Sequence, residues 1–254
     1  MHPEILGLIK SYGLMLALSF ALGLVLSIRR GRPYALESET IMDLVFGVLV
    51  SSIVGVRLFY VLTHLHDFDP WYRALFIWDG GLTLYGGILL ATATVWYMTR
   101  RRGIPFLVIA DIFSPGVMLG IGITRIGCFM AGCCFGKPTT CGLGVKFPFG
   151  SPATDVFGPV PVYPTQLFSS GGGFLIFGLL LLIEKFYHRR GSTFALFLVF
   201  YGLQRFTVDF FRYYTPDQMI MGWSNNQWIS VGMILAGLLL LGWVVRRKAA
   251  PDDR

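Results

Sequence analysis

The chain has 254 residues, of which 54% are hydrophobic and 15% aromatic, while only 14% are charged. A soluble domain carries charge on about a quarter of its residues, so this composition excludes an ordinary soluble protein and points to a membrane one. The net charge of +7 is not a nucleic-acid footprint, because the basic residues gather at the ends of apolar runs, where membrane topology places them.

Crossing a bilayer takes about 20 apolar residues, and seven runs meet that need: 12–28, 44–63, 80–99, 104–123, 165–183, 193–211 and 227–245. The first is not a cleaved signal, because Arg29, Arg30 and Arg32 follow its apolar part instead of preceding it. The sequence therefore predicts an all-α membrane protein of seven transmembrane helices, a single polytopic domain over 1–254. Its Cys/Pro-rich extracytoplasmic loop falls at about 124–164. Orientation follows from the lysines and arginines. Arg29, Arg30, Arg32, Arg100, Arg101, Arg102, Lys185, Arg189, Arg190, Arg246, Arg247, Lys248 and Arg254 fall on one side, which is 13 of the 21. Lys10, Arg73, Lys137, Lys146 and Arg212 fall on the other, and Arg57, Arg125 and Arg205 are intramembrane or at its boundary. The N-terminus is placed outside and the C-terminus in the cytoplasm.

In the second run, Gly47, Ser51 and Gly55 are four residues apart, a small-residue face for close helix packing. Arg57 lies just beyond it. An arginine in an apolar helix costs about 2.5–3.5 kcal/mol on insertion scales, which calls for a polar cavity or an ion pair. His64, His66, Asp67 and Asp69 read as a solvated turn, not a metal cluster. In WDGGLTLYGG, Asp79 is a candidate helix cap, and Tyr85 is expected about two turns into the third helix. The fourth run carries Asp111.

The stretch GIGITRIGCFMAGCCFG, 120–136, places Arg125 between Gly122 and Gly127 near a membrane boundary. Its guanidinium offers five donors in a planar fork suited to phosphate or carboxylate. All four cysteines, Cys128, Cys133, Cys134 and Cys141, lie in this stretch or just after it. Their spacing, C-x4-C-C-x6-C, matches no common zinc pattern. Facing an oxidising compartment, they suit disulfides, and a structural staple of the loop is the expected use, with free thiols as the alternative and no connectivity readable. Pro148, Pro152, Pro159, Pro161 and Pro164 exclude regular helix from the rest of the loop. The fifth run opens on Tyr163, Pro164, Thr165, Gln166 and Leu167 and contains three consecutive glycines, 171–173. In the sixth, Tyr201, Gln204, Arg205, Asp209 and Arg212 share one helical face, on which Asp209 can pair with Arg205 at i−4 or with Arg212 at i+3. A polar stripe of this kind is a candidate anion-site wall.

These motifs, in this order, resemble the bacterial prolipoprotein diacylglyceryl transferase family over nearly the whole chain. The matching stretches are SYGLMLALSF, VGVRLFYVL with Arg57, WDGGLTLYGG, TRIGCF, YPTQL, YGLQRFTVDFFR and WISVGMIL. The resemblance implies transfer of a diacylglyceryl group from phosphatidylglycerol to the lipobox cysteine of a prolipoprotein signal peptide. It implies a multi-pass protein of the bacterial inner membrane, surrounded by membrane lipids, with its site facing the outer leaflet. No nucleic acid, cofactor or metal is called for. The resemblance makes Tyr85, Arg125, Tyr201 and Arg205 the catalytic candidates. It makes Arg57, Asp79, Gly80, Gly81, Gln166, Asp209 and Arg212 the substrate-binding ones. The sequence also departs from the family. Tyr85 and Tyr163 stand where D-G-G-x-x-x-H-G-G and H-P-[ST]-Q-L have histidine, and a phenol of reference pKa ~10 is a poorer base than imidazole. Cys128, Ala131 and Cys133 stand where the signature has Asn, Asn and Glu. Two other readings stay open on the same fold: a thiol-redox or metal-binding membrane protein, and a non-catalytic lipid-binding paralogue.

Overall fold

The computed structural model describes residues 4–5, 9–65 and 83–247. Its long helices are α1 (Ser11–Gly31), α2 (Ser38–Thr63), α3 (Leu84–Arg101), α4 (Phe106–Ala131), α6 (Thr165–Phe186), α7 (Ser192–Asp209) and α8 (Asn225–Arg246). A short α5 (Pro152–Phe157) interrupts the loop before α6. Two antiparallel ribbons complete the description, β1 (Glu4–Ile5) with β2 (Ile9–Lys10) and β3 (Met219–Ile220) with β4 (Trp223–Ser224). Asp79, Gly80 and Gly81, with His66, Asp67 and Asp69, lie outside the described residues.

The fold is helical, as expected. Among the described residues five helices are long and apolar enough to cross a membrane: α1, α2, α4, α6 and α8. The other two, of 18 residues each, fall short for visible reasons. Arg100 and Arg101 close α3, and Gln204, Arg205 and Asp209 dilute the apolar character of α7.

The chain packs as two units, one made of Ser27–Ile109 and the other of Met1–Leu26 with Ala110–Arg254. In the first, the small-residue face of α2 receives α3. Gly55 and Gly86 meet so closely that a Cβ on either would strike the carbonyl of the other, and one on Gly87 would fall 2.6 Å from the Val56 side chain. Ser51 stays inside this contact by returning its hydroxyl to the Gly47 carbonyl at 2.6 Å. The Thr83 amide donates to the Val56 carbonyl at 3.0 Å, and α3 starts there. Tyr85 is consequently in the first turn of α3, not two turns in.

In the second unit, α4 continues past its expected end at Ile123 to Ala131, because tertiary contacts carry the helix on. Thr124 donates to Ser19 of α1 at 3.2 Å, and Gly127 lies against Met15 and Tyr12. Arg125 and Cys128 are therefore helical. A Cβ on Gly173 would fall 3.0 Å from the Gly122 amide, and Gly172 makes room for Gln204; close packing thus uses two of the three consecutive glycines. Ser170 locks the same crossing by donating to the Gly122 carbonyl at 2.7 Å. Asp111 is 1% exposed, and its carboxylate accepts the amides of Gly191 and of Phe194 (2.7 Å) at the start of α7. A buried carboxyl group thus meets the N-terminal end of a helix, where the amides are free to donate.

The loop after α4 is ordered around its own core of Phe135, Phe147, Ala153 and Val162. The expectation that its prolines exclude helix fails at Pro152. That residue takes the first position of α5, where the missing N–H is no loss, behind a Ser151 capping box.

Candidate anion-binding cleft

The second unit brings three of the four catalytic candidates to one place. A small open cleft is lined by Arg125 of α4, Ser169 of α6, and Tyr201, Gln204 and Arg205 of α7, with Ile121 and Val208 as its apolar walls. Two guanidiniums and no carboxylate form this lining, so its fixed charge favours an anion. Tyr201 is half-buried and stacks on Phe197 at 5.8 Å, which fixes its ring at the cleft wall.

Arg205 is held from two sides. Its Nη2 donates to the Tyr214 hydroxyl at 3.0 Å, and its Nε lies 3.5 Å from Asp209 Oδ1, the i+4 pair expected from the sequence. Asp209 in turn accepts from Ser224 at 2.9 Å, and Ser224 caps α8. One buried carboxylate therefore ties the arginine to the start of the next helix. Tyr214 also accepts from Asn226 at 3.1 Å, and burial pushes its phenol above the ordinary range, so it stays protonated. On the opposite wall Gln204 donates to the Ser169 carbonyl at 2.7 Å.

Breaking the pair should be costly. Asp209 is fully buried and Arg205 only 14% exposed in their side chains, and loss of one partner from a buried pair costs about 3–5 kcal/mol. Asp209→Asn is expected to lower the unfolding temperature in detergent clearly, and Asp209→Asn combined with Arg205→Met to recover part of it. An unchanged temperature for Asp209→Asn would show that this carboxylate carries no structural load.

The remaining candidates are placed elsewhere. Arg212 is not on the α7 stripe. The helix ends at Asp209, and the backbone beyond it pairs with the cysteine loop through an antiparallel Gly136–Arg212 bridge and a 2.8 Å bond from the Lys137 amide to the Phe211 carbonyl. The Arg212 guanidinium lies over the Tyr214 ring at 5.6 Å. Gln166 is fully buried and donates to the Cys133 carbonyl at 2.7 Å. Arg57 and Tyr85 belong to the other unit; Arg57 is buried near the Tyr60 ring at 5.9 Å, and Tyr85 is 39% exposed. All four cysteines are free thiols. Hydrogen bonds with Cys128 and Cys133, helped by Arg212 and Arg125 against the effect of burial, hold the Cys134 pKa down.

The family model for prolipoprotein diacylglyceryl transferase matches residues 4–243. The chain belongs to the prolipoprotein diacylglyceryl transferase family. Proteins bearing the name phosphatidylglycerol–prolipoprotein diacylglyceryl transferase are 35% identical in Pseudoalteromonas atlantica, over 94% of this chain and 86% of the relative. The one from Geobacter sulfurreducens is 34% identical over 94% and 92%, and the one from Pseudomonas aeruginosa 33% over 94% and 90%. The family is one of transferases by name, and the five helices long and apolar enough to cross a membrane make this chain a membrane-embedded member. Sequence reasoning missed the residues that brace Arg205 and its partner Asp209: Tyr214, Ser224 and Asn226. Tyr213 and Tyr214 are indistinguishable in sequence, yet the first packs on Phe135 and the second on Arg205.

Proposed function

We propose that this chain moves a diacylglyceryl group from phosphatidylglycerol to the lipobox cysteine thiol of an exported prolipoprotein, the reaction for which its relatives are named. The observation that carries the reading is the convergence of Arg125, Arg205 and Tyr201 on one cleft without a carboxylate in its lining. In the reaction the thiol gives up its proton, sulfur attacks the glycerol carbon, and the carbon–oxygen bond to phosphate breaks, so that glycerol phosphate leaves. Charge grows on the phosphate as that bond opens, and two guanidiniums fixed in advance stabilise it more than they stabilise the starting lipid. Asp209 and Tyr214 act as positioning residues for Arg205. Tyr85 takes the family histidine's place as candidate base, and Arg57, Asp79, Gly80, Gly81, Gln166 and Arg212 are carried over as substrate-binding residues. The test is transfer of labelled glyceride from phosphatidylglycerol to a lipobox peptide by the purified chain. Binding of the lipid without transfer would leave the non-catalytic lipid-binding reading instead.

The same proposal includes seven spans with the N-terminus outside, in the bacterial inner membrane. Helices α1, α3, α6 and α8 each carry basic residues in their last turn, which supports a common cytoplasmic end for alternate spans. The cleft lies towards the C-terminal ends of α4 and α7 and the N-terminal end of α6, the ends away from those charges, so the reading puts it in the outer leaflet. A reporter enzyme active only outside the cytoplasm should work when fused after Pro138 and stay silent after Arg190 or Arg254. Activity at Arg254 would remove the seven-span reading.

A further inference from the structure

We propose that Cys128, Cys133 and Cys134 form a three-thiolate site for one thiophilic metal cation, Zn(II) or Cu(I). Their sulfur atoms all lie within 4.8 Å of one another. Three thiolates around one zinc at about 2.3 Å stand roughly 3.8 Å apart, so the observed cluster needs only small side-chain movements to close on an ion. Sequence spacing gave no hint of this, because the site is not built as a knuckle with paired C-x-x-C arms. It is built by the end of a helix turning back on itself. Cys128 occupies the last turn of α4, and the Cys133 amide returns to the Cys128 carbonyl at 3.1 Å.

The turn that gathers the thiols is held in an unusual shape. Gly132 has φ +70°, and Cys134 has φ +61°, the left-handed region that a non-glycine residue seldom occupies and that is often kept where function needs it. The start of α6 pins this turn. Thr165 donates to the Cys134 carbonyl at 2.8 Å and Gln166 to the Cys133 carbonyl at 2.7 Å. Gln166 is 0% exposed, and its Oε1 has no hydrogen-bond partner among the described residues. Supporting bonds of this kind are what orient ligands around a metal.

The charge also balances. Three thiols bind zinc by releasing three protons, with no change of oxidation state, and leave a complex of net charge −1. Arg125 lies one helical turn before Cys128 on α4, and Arg212 is bridged to Gly136, two residues past Cys134. Soft thiolate ligands select Zn(II) and Cu(I) over the hard cations. Cys141 is exposed and lies outside the cluster, so it serves as an internal control.

This site does not rest on the transfer reading, and its test needs no lipid acceptor. The full chain, purified in detergent with a phosphine reductant, is offered Zn(II) or Cu(I) in separate arms against a competing chelator. One equivalent is expected in at least one arm, with three of the four thiols protected from alkylation and Cys141 left reactive. Co(II) in place of zinc is expected to give an intense sulfur-to-metal band in the near ultraviolet. Cys128→Ser, Cys133→Ser and Cys134→Ser should each weaken binding more than Gln166→Ala does, for which the loss of an outer-shell partner predicts about 10–100-fold; Cys141→Ser should change nothing. Less than a tenth of an equivalent in both arms overturns the proposal. So do metal uptake that leaves all four thiols reactive, a cobalt form without the sulfur band, and a disulfide among the three that re-forms in the presence of zinc. These readings are made on the unmodified chain and stand even where a serine variant fails to fold.

Discussion

Arg125→Ala and Arg205→Ala are each expected to slow diacylglyceryl transfer by about 100- to 1,000-fold, the usual cost of removing one donor aimed at developing charge. Both guanidiniums line the same cleft, so either loss leaves the departing phosphate short of one charge-assisted contact worth about 1.5–3 kcal/mol. The two variants are not equivalent in stability, because Arg205→Ala also uncovers the buried Asp209. Arg205→Lys separates the effects: it keeps a positive charge beside Asp209 but loses the planar fork, and should be slowed less than Arg205→Ala. Rates are measured with labelled phosphatidylglycerol and a lipobox peptide, with the unfolding temperature followed in parallel. If Arg125→Ala and Arg205→Ala both fold and both transfer at the unmodified rate, the phosphate assignment is wrong.

Tyr85→Phe should produce a comparable or larger loss, about 100- to 10,000-fold, if the hydroxyl relays the thiol proton in the place of the family's histidine, accepting it while passing its own proton to solvent. Phenylalanine keeps the ring and removes only the group that can exchange a proton. Tyr85 is the second residue of α3 and remains 39% exposed, so the change should leave packing nearly untouched. Tyr85→His restores the family's own base and is expected to transfer at least as fast as the unmodified chain. Full transfer by Tyr85→Phe would place the base at another residue.

Much of this architecture is legible in the order of residues. Apolar runs and basic flanks gave the long helices, the i, i+4 pair of Arg205 and Asp209 could be read from one helical face, and a close-packing face on α2 from Gly47, Ser51 and Gly55, though not that α3 would occupy it. The errors share a physical origin. Hydropathy falls at Thr124 and Arg125, yet the helix persists to Ala131 because Ser19 and the first turn of α1 pack against it. In the same way the stripe of α7 seemed to extend to Arg212, but pairing with the cysteine loop draws the chain off the helix after Asp209. Periodicity describes one element at a time, whereas these ends are decided by a second element distant in sequence. The cysteine cluster belongs to the same class, since it needs the turn at Gly132 and the two bonds from α6.

The bond between Asp111 and the start of α7 bears on the order in which the chain is assembled. The carboxylate and its two amide donors are 80 and 83 residues apart, so a ribosome makes the acid long before anything exists to receive it. During that interval the Asp111 carboxyl group sits in an apolar helix without the two amides that hold it in the folded chain. Arrival of Gly191 and Phe194 supplies two amide donors at the start of a helix. An element made late in the chain, with α8 still to follow, thereby satisfies a polar group introduced in the middle, and Arg205 can join Arg125 in the cleft only once α7 has been made.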